Sequence, residues 1–431
     1  LPHILPVCSV VAPCQPGASP VSLQRRTCTT GRQDVRQSRP VITTPSLSDL
    51  LGVRHARVRD GLTADHLDAL VVTHLPNVRY LSGFAGSAAI VVLDRHELVL
   101  ITDGRYLTEV QETIAGICPA FRLVKVDPAY DATLIRVLKQ GGYERVGFEG
   151  AHLSFNRYQT LSVALAEGPD GAHSRLVPTE RLVEAVRLRK DEIERAALRQ
   201  AGRLLDDAAV AILAALKPGQ RERDIAADID WRLKMGGFER TAFDTIVASG
   251  PNSALPHARP GKRVLRAGDL VVLDFGGVYD GYCVDLTRTA CVGEPSSEVR
   301  RLYQAVRDAH AAALAAVRPG ATASTVDAAA RQTLVAYGLG EAFSHATGHG
   351  LGLEVHEEPR VGPARADVPG VPPAARDEPL IDGIVITVEP GAYVPGLGGV
   401  RIEDDVLVTG DGAELLTHVP LELLVVEHNE R

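Results

Sequence analysis

Four acidic residues and one histidine in the C-terminal part of this 431-residue chain constrain its fold more than any other feature. They are Asp274, Asp285, His349, Glu389 and Glu403, and two of the acids end the apolar runs LVVLD and IVITVE. An acid in such a position is costly to bury unless a partner compensates its charge. Oxygen-rich donors suit hard or borderline divalent ions better than a structural zinc site, which Cys and His usually close. A fold that brings the five together would hold two such ions, as in a dinuclear metallohydrolase.

Composition excludes several classes of partner. The length predicts two or three domains, each with enough chain to bury a core. A net charge of −8 gives no footprint for nucleic acid or an anionic membrane surface. No apolar run approaches the ~18 residues of a membrane span. The six cysteines form no CxxC pair and no compact disulfide framework, which favours a reducing, cytoplasmic location.

Residues 1–48 differ in composition from the rest of the chain. They hold three of the six cysteines, several prolines and a basic Ser/Thr-rich stretch. We expect a disordered leader or an artefact of where the chain starts, and we exclude the segment from the fold. An Arg-rich, acid-poor transit peptide is the alternative.

Residues 49–180 are predicted to form a mixed α/β domain, because short β-rich runs alternate with helical patterns. The predicted strands are 69–73, 88–93, 97–102, 121–126 and 145–148, and the predicted helices are 105–114 and 132–139. No nucleophile elbow, phosphate loop or dinucleotide fingerprint occurs in this part, so it offers no chemistry of its own.

Residues 181–431 are predicted to form an α+β domain, entered through a charged helical connection over 180–203. The predicted helices are 221–235, 297–317 and 324–337, and the predicted strands are 270–275, 284–292, 384–389 and 400–408. These strands carry the four acids, so the chemistry is expected in this half of the chain.

Turn geometry places the first two acids together. The pair Asp280-Gly281 is a strong two-residue hairpin signal between two β-rich runs. With that turn, Asp274 lies opposite Thr287, and Asp285 is two residues from Thr287 on the same face. The two carboxylates are then diagonal neighbours, within reach of a shared pair of ions.

The second pair of acids has a similar arrangement. Glu389 and Glu403 flank a glycine-rich segment, which predicts another hairpin or looped return. Arg401 lies two residues before Glu403 and therefore on its face, where a guanidinium could orient a metal-binding carboxylate.

Each candidate also has an ordinary interpretation. Any single acid could be a solvated strand residue, and a lone histidine is usually a surface or satisfied core residue. His345, His349 and His356, however, fall close together among glycines, and His257 precedes the first acidic strand. One ligand with several substrate-contacting imidazoles is a plausible division. Position alone does not identify which histidine is the ligand.

The strings around these residues resemble those of a known family. SGPNSALPH, GYCVDLTRT, GHGLGLEVHE, VEPGAY and GGVRIEDD are similar to the metal-ligand series of the pita-bread metallopeptidases. They resemble the Xaa-Pro-cleaving branch, with aminopeptidase P and prolidase, more than methionine aminopeptidase. The strings NVRYLSGFAGS and ITDGRY are similar to the additional N-terminal domain of that branch. The resemblance implies a creatinase/prolidase-like domain followed by a pita-bread α+β catalytic domain.

The resemblance implies a role for each candidate ligand. Asp274 would hold one ion, His349 and Glu389 the other, and Asp285 and Glu403 would bridge both. Manganese suits such an oxygen-rich site, with cobalt and zinc as alternatives.

Catalytic roles are implied in the same way. Glu389 would also be the general base, His257 and His356 the substrate-contacting imidazoles, and His345 a further site histidine. Arg401 would brace the ligands. Two ions would share a water and lower its pKa, and the hydroxide would attack the carbonyl before proline.

The implied activity is removal of an N-terminal residue that precedes proline, and the implied partners are proline-containing peptides and a second copy of the chain in a homodimer. The N-terminal strings and the short Glu389–Glu403 separation favour aminopeptidase P over prolidase, which cuts only dipeptides. A metal-free binding module of the same fold is the distant alternative. The Pro/Ala-rich segment 361–379 is expected to form a loop near the mouth of the site and to affect the preferred substrate length.

Overall fold

The computed structural model describes residues 45–166, 174–364, 377 and 379–427. Nearly all of the predicted leader, residues 1–48, lies outside the described residues. So does most of the Pro/Ala-rich segment, whose residues 365–376 and 378 are not described.

A mixed six-stranded sheet forms the centre of the N-terminal half. The strands are β1 (Ala69–Val72), β2 (Ala89–Asp94), β3 (Leu98–Thr102), β4 (Phe121–Lys125), β5 (Arg145–Glu149) and β6 (Arg175–Thr179), in the order β4-β3-β2-β1-β5-β6. The helices are α1 (Leu47–Ala64), α2 (Leu75–Ser82), α3 (Leu107–Thr113), α4 (Tyr130–Gly141) and α5 (Phe155–Ala166). Helices cover both faces, which explains why β1 to β3 are buried along their length and apolar except at the last residues of β2 and β3, Asp94 and Thr102.

The five strands and two helices predicted for this half are confirmed to within a few residues at each end. Helices α1, α2 and α5 and strand β6 were not predicted from the sequence.

The helical connection predicted over 180–203 is confirmed, but it consists of two helices separated by a break at residues 188–191, which was not predicted. Helix α6 (Leu182–Arg187) ends before α7 (Glu192–Ala215) begins. The break occurs because Asp191 caps α7: its carboxylate accepts from the backbone N–H groups of Ile193 and Glu194, and Glu194 completes a capping box. Lys190, in this break, contacts Glu357 of the second half.

The second half combines helices with two five-stranded sheets. Its helices are α8 (Glu222–Met235), α9 (Ser297–Ala316) and α10 (Ala323–Ala336). Its strands are β7 (Arg240–Thr241), β8 (Ile246–Ser249), β9 (Leu270–Tyr279), β10 (Tyr282–Val292), β11 (Gly348–Gly350), β12 (Glu357–Val361), β13 (Val385–Val388), β14 (Gly391–Val394), β15 (Gly398–Arg401), β16 (Asp404–Thr409), β17 (Gly412–Leu415) and β18 (Leu424–Val426).

The sheet topology confirms the predicted α+β class. One sheet has the order β18-β10-β9-β7, with β8 also pairing with β9, and the other has the order β12-β11-β13-β16-β17. Strands β14 and β15 form a separate hairpin. Helices α7 and α8 pack on the first sheet, and α9 and α10 pack on the second. The two sheets meet where β9 and β10 lie against β15 and β16, and the acidic residues lie at this meeting point.

Among the described residues, none of the helices is both long enough and apolar enough to cross a lipid bilayer.

Candidate metal centre and active site

The β9–β10 hairpin has the register predicted from its turn. Asp280 and Gly281 both have positive φ, at 45° and 74°, as a two-residue hairpin turn of this kind requires. Asp274 pairs with Thr287, so Asp274 and Asp285 share one face as diagonal neighbours. Both carboxylates are almost completely buried.

The second pair of acids meets at the end of another strand pair. Val388 of β13 pairs with Asp404 of β16, which places Glu389 and Glu403 just beyond the last paired residues. The segment between them is the predicted hairpin, formed by β14 and β15. The amide of Glu403 donates to the carbonyl of Thr287 at 3.1 Å and so joins this pair to the first hairpin.

His349 lies on β11 with its ring facing the carboxylates. Its Nδ1 lies 2.9 Å from the Gly350 carbonyl, and a nitrogen in that contact must carry the proton. The Nε2 atom is therefore free to be a ligand, at 3.9 Å from Asp285 Oδ2 and 3.8 Å from Glu389 Oε1. Burial lowers the pKa of His349 to about 4, so the ring is neutral at pH 7 and these separations are not ion pairs.

The geometry brings a compact donor set together. Ligand atoms of Asp285, His349 and Glu403 all lie within 4.8 Å of one another. Glu389 lies next to these three, since its Oε1 is close to His349 Nε2. Asp274 is held near them by Arg401, which donates to Asp274 Oδ2 at 2.5 Å.

Burial and mutual repulsion disfavour the charged forms of these carboxylates. Burial and the repulsion of Glu403 and Asp274 raise the pKa of Asp285 well above its usual range. Burial and the same kind of repulsion raise the pKa of Glu403, and burial raises that of Glu389 to about 8. One oxygen each of Asp274, Asp285 and Glu403 is buried without a hydrogen-bond donor. Divalent cations would supply both the missing charge and the missing partners, so the residues fit a metal centre.

Arg401 connects the acids to the neighbouring polar residues. It is buried, and it donates to the Tyr393 hydroxyl at 2.8 Å and to Thr287 Oγ1 at 3.2 Å. Thr287 in turn donates to Glu403 Oε2 at 2.6 Å. The Tyr393 hydroxyl also lies 2.9 Å from His345 Nε2. The predicted location of Arg401 beside a carboxylate is observed, although the acid it contacts directly is Asp274 and not Glu403.

A cavity of about 730 Å³ opens above these residues. His257, His345 and His356 all line it, together with the five acidic and imidazole donors. His356 lies against the ligand candidate His349, with their rings edge-to-face at 4.4 Å between centroids. Burial lowers the pKa of His345 to about 4, so this ring is neutral at pH 7. The structure therefore brings every site residue predicted from the sequence to one cavity.

Sequence reasoning missed several residues of the cavity and its surroundings. The hairpin register predicts that Thr287 lies opposite Asp274, and the VEPGAY string contains Tyr393. The sequence analysis assigned a role to neither residue. Arg360 lines the cavity and stands four residues after His356 in HEEPR. Phe243 and Ile246 add apolar side chains to the cavity lining, and no spacing pattern in the sequence identifies them.

Comparison with known proteins decides the family. The model of metallopeptidase family M24 matches residues 196–410, and the model of the creatinase/prolidase N-terminal domain matches residues 54–189. A Xaa-Pro dipeptidase from Pyrococcus horikoshii is 33% identical over 380 residues, which cover 87% of this chain and 100% of that protein. The chain belongs to metallopeptidase family M24.

Solved structures of this family have the same fold. A Xaa-Pro dipeptidase from Bacillus anthracis matches with a TM-score of 0.80 at 33% identity, covering 87% of this chain and 100% of its own. An X-Pro aminopeptidase from Thermotoga maritima matches with a TM-score of 0.75 at 32% identity, covering 84% and 98%. The predicted architecture, a creatinase/prolidase-like domain followed by a pita-bread domain, is confirmed, and so is the resemblance to the Xaa-Pro-cleaving branch. This M24 chain is a metallopeptidase, with a carboxylate and histidine site that suits metal ions.

Proposed function

We propose that this chain is a metal-dependent Xaa-Pro dipeptidase, which hydrolyses the bond before proline in dipeptides. The similar proteins from Pyrococcus and Bacillus anthracis are named Xaa-Pro dipeptidase or prolidase. These names favour the alternative of the sequence analysis over its first preference, aminopeptidase P. The observation that carries the proposal is Arg360, a cationic side chain in the wall of the cavity.

Arg360 suits a substrate that ends at proline. A dipeptide has a free carboxylate on its proline, whereas a longer peptide has an amide there. A guanidinium binds a carboxylate through two parallel, charge-assisted hydrogen bonds and gains much less from an amide. Phe243 and Ile246 also line the cavity, and their apolar side chains suit an imide ring, which has no N–H to donate.

We assign the metal ligands as the family resemblance implies. Asp274 would hold one ion, His349 and Glu389 the other, and Asp285 and Glu403 both. Bound ions would polarise the substrate carbonyl and lower the pKa of the attacking water. The oxygen-rich donor set favours manganese, with cobalt and zinc as alternatives.

The chain's own groups would manage the proton and the developing charge. Glu389 would accept a proton from the attacking water and deliver it to the proline nitrogen as the bond breaks. His257 and His356, which face the cavity, would donate to the oxygen of the tetrahedral intermediate. Arg401 would hold Asp274 and, through the carbonyl of Pro256 at 3.2 Å, the loop that carries His257.

Substrate length tests the proposal. The purified protein, supplied with manganese, should hydrolyse Xaa-Pro dipeptides and leave Xaa-Pro-Xaa tripeptides intact. Hydrolysis of tripeptides at a comparable rate would indicate an aminopeptidase, and the similar structure from Thermotoga maritima is named X-Pro aminopeptidase. Protein without bound metal and without either activity would indicate the binding module.

A substitution of Arg360 tests the specific argument. Arg360→Leu should raise KM for the dipeptide about 10- to 100-fold with kcat little changed, because the lost contact is made equally in ground state and transition state. Arg189→Leu is the matched control, since Arg189 is a half-exposed arginine outside the cavity lining. An unchanged KM in Arg360→Leu would contradict the proposed carboxylate contact.

We also propose a homodimer in a reducing, cytoplasmic setting. The three cysteines among the described residues, Cys118, Cys283 and Cys291, are free and buried, which is consistent with that setting. Sedimentation of the purified protein would test the dimer.

A further inference from the structure

A buried ionic network reaches the cavity lining through Arg187, Glu354 and Glu357, none of which has a role in the proposed hydrolysis. Arg187, at the end of α6, is 2% exposed and donates to Glu357 at 2.5 Å and to Glu354 at 2.9 Å. Lys190, in the break before α7, is 1% exposed and donates to the other oxygen of Glu357 at 2.8 Å. These partners lower the pKa of Glu357 to about 2, against the opposing effect of its burial.

The network extends into the N-terminal domain. The Asn77 side chain is fully buried and accepts from Arg187 at 2.6 Å. Its amide group donates to Glu149 at 2.7 Å and to Glu184 at 2.6 Å. Glu354 has a second partner in this domain, since its Oε1 lies 2.9 Å from Nε2 of His74. The contacts therefore run from β5 and α2 to the segment before β12.

His356 lies between the two anchored carboxylates of that segment. Glu354 is two residues before it and Glu357 one residue after it, and the amide of Glu354 donates to Glu357 at 3.2 Å. The ring of His356 faces the cavity, and in the described part of the chain no hydrogen bond holds it. Because its own side chain is not tethered, the position of its backbone decides where the imidazole points.

The fit around Glu357 leaves little room for another arrangement. A Cβ atom added at Gly352 would lie 2.8 Å and 2.9 Å from the two oxygens of Glu357. Glycine at this position thus allows the carboxylate to fold back beneath the segment and reach Arg187 and Lys190.

We propose that Arg187 and Lys190 are positioning residues for His356, and that Asn77 makes the N-terminal domain a part of this arrangement. The inference rests on the proposed role of His356 as a substrate-contacting imidazole. Arg187 and Lys190 act through their contacts with Glu354 and Glu357, and so fix the two carboxylates between which His356 is held. The N-terminal domain then has a function within its own chain, in addition to any role in shaping a dimer.

Kinetics of paired variants test the proposal. Arg187→Lys keeps the charge but replaces the two guanidinium nitrogens that contact Asn77, Glu354 and Glu357 with a single amino group. It should lower kcat for a Xaa-Pro dipeptide by about tenfold with KM nearly unchanged. Asn77→Ala alters no charge and should have a smaller effect of the same kind. In the His356→Ala background the same changes should lower kcat by less than about twofold, because groups that act through one residue are not additive. Arg189→Ala, on the same connection but in an exposed pair with Asp382, is the control and should change neither constant.

Two results would overturn the proposal. Equal losses of kcat in the wild-type and His356→Ala backgrounds would mean that Arg187 does not act through His356. A loss of manganese affinity in parallel with kcat would mean that the network merely supports the fold around the ligands.

A measurement without turnover separates this inference from the proposed function. With ¹³C-labelled histidine, the ring signal of His356 can be identified by its absence in His356→Ala. That signal should shift and broaden in Arg187→Lys and Asn77→Ala and stay unchanged in Arg189→Ala. An unchanged signal in all variants would refute the positioning role, even in a protein that cleaves dipeptides. A shifted signal in a protein that does not cleave them would support the positioning role while the proposed function fails.

Discussion

At the scale of single residues, Arg401 is the side chain with the most demanding surroundings. It is buried with Asp274, Thr287 and the Tyr393 hydroxyl as partners. Burial alone would lower its pKa, yet the neighbouring negative groups raise it, so the guanidinium stays charged. A buried charge of this kind cannot be removed without leaving its partner uncompensated.

Arg401→Met should therefore lower the free energy of unfolding by about 3–5 kcal/mol, measured by urea denaturation at pH 7. The half-exposed Arg189 provides the comparison: Arg189→Met should change the same quantity by less than about 1 kcal/mol. Similar changes in the free energy of unfolding for the two variants would show that the buried contacts of Arg401 contribute no more to stability than an exposed ion pair.

Glu357 gives a residue-scale prediction for pH. Its pKa is lowered from 4.5 to about 2 in the folded chain, because Lys190 and Arg187 favour the charged form. Its contribution to stability is therefore complete above pH 4.5 and is lost as the pH falls toward 2. The contribution amounts to about 3 kcal/mol at neutral pH.

Glu357→Gln should be less stable than the wild type at pH 6, and the difference should shrink at about pH 3. Chemical denaturation of both proteins across this range measures it. A difference that does not depend on pH would mean that Glu357 is not paired as described.

At the scale of elements, two helical glycines should respond to alanine in opposite directions. A Cβ atom at Gly202 of α7 would lie 2.0 Å from the carbonyl oxygen of Leu416, so the helix must move away from the chain beside it. A Cβ atom at Gly52 of α1 would meet only a Pro119 ring atom at 3.8 Å, which is an ordinary contact.

Gly202→Ala should lower the free energy of unfolding by about 1–3 kcal/mol through overpacking. Gly52→Ala should raise it by about 0.5–1 kcal/mol, because alanine loses less conformational freedom in a helix. Thermal or urea unfolding measures both. A stabilising Gly202→Ala would mean that α7 can shift at little cost.

The elements also show which parts of the site follow from sequence. The β9–β10 register was predictable because a two-residue turn with positive φ at both positions fixes which residues face each other. The break between α6 and α7 was not predicted, because the charged helical pattern continues through it. Asp191 and Glu194, which form a capping box, were the signal that could have identified it. The contacts of Arg187 could not be predicted at all, since its partners lie 110, 167 and 170 residues away and no local pattern links them.

At the scale of the whole molecule, the division of the chain at residue 180 stays a proposal. The model of the N-terminal domain extends past this residue to 189, and the model of family M24 begins at 196. The ionic network of Arg187, Lys190 and Asn77 joins the two parts tightly, so we expect them to unfold together in a single transition.

Metal binding should stabilise the whole chain. After removal of metal with a chelator, manganese at about 100 times its dissociation constant should raise the free energy of unfolding by about 2.7 kcal/mol. Asp285→Asn should abolish most of this increase. A chain whose unfolding does not respond to manganese, cobalt or zinc would contradict the proposed metal centre.

The meeting of two sheets at the candidate metal centre has a consequence for biosynthesis. The hydrogen bond from Thr287 to Glu403 spans 116 residues, and the ion pair between Arg401 and Asp274 spans 127. The first hairpin leaves the ribosome long before the acids that complete its donor set have been made. Until then Asp274 and Asp285 remain an incomplete set of donors. A nascent chain of this protein should therefore acquire its metals only after Glu403 has left the ribosome and both sheets have come together.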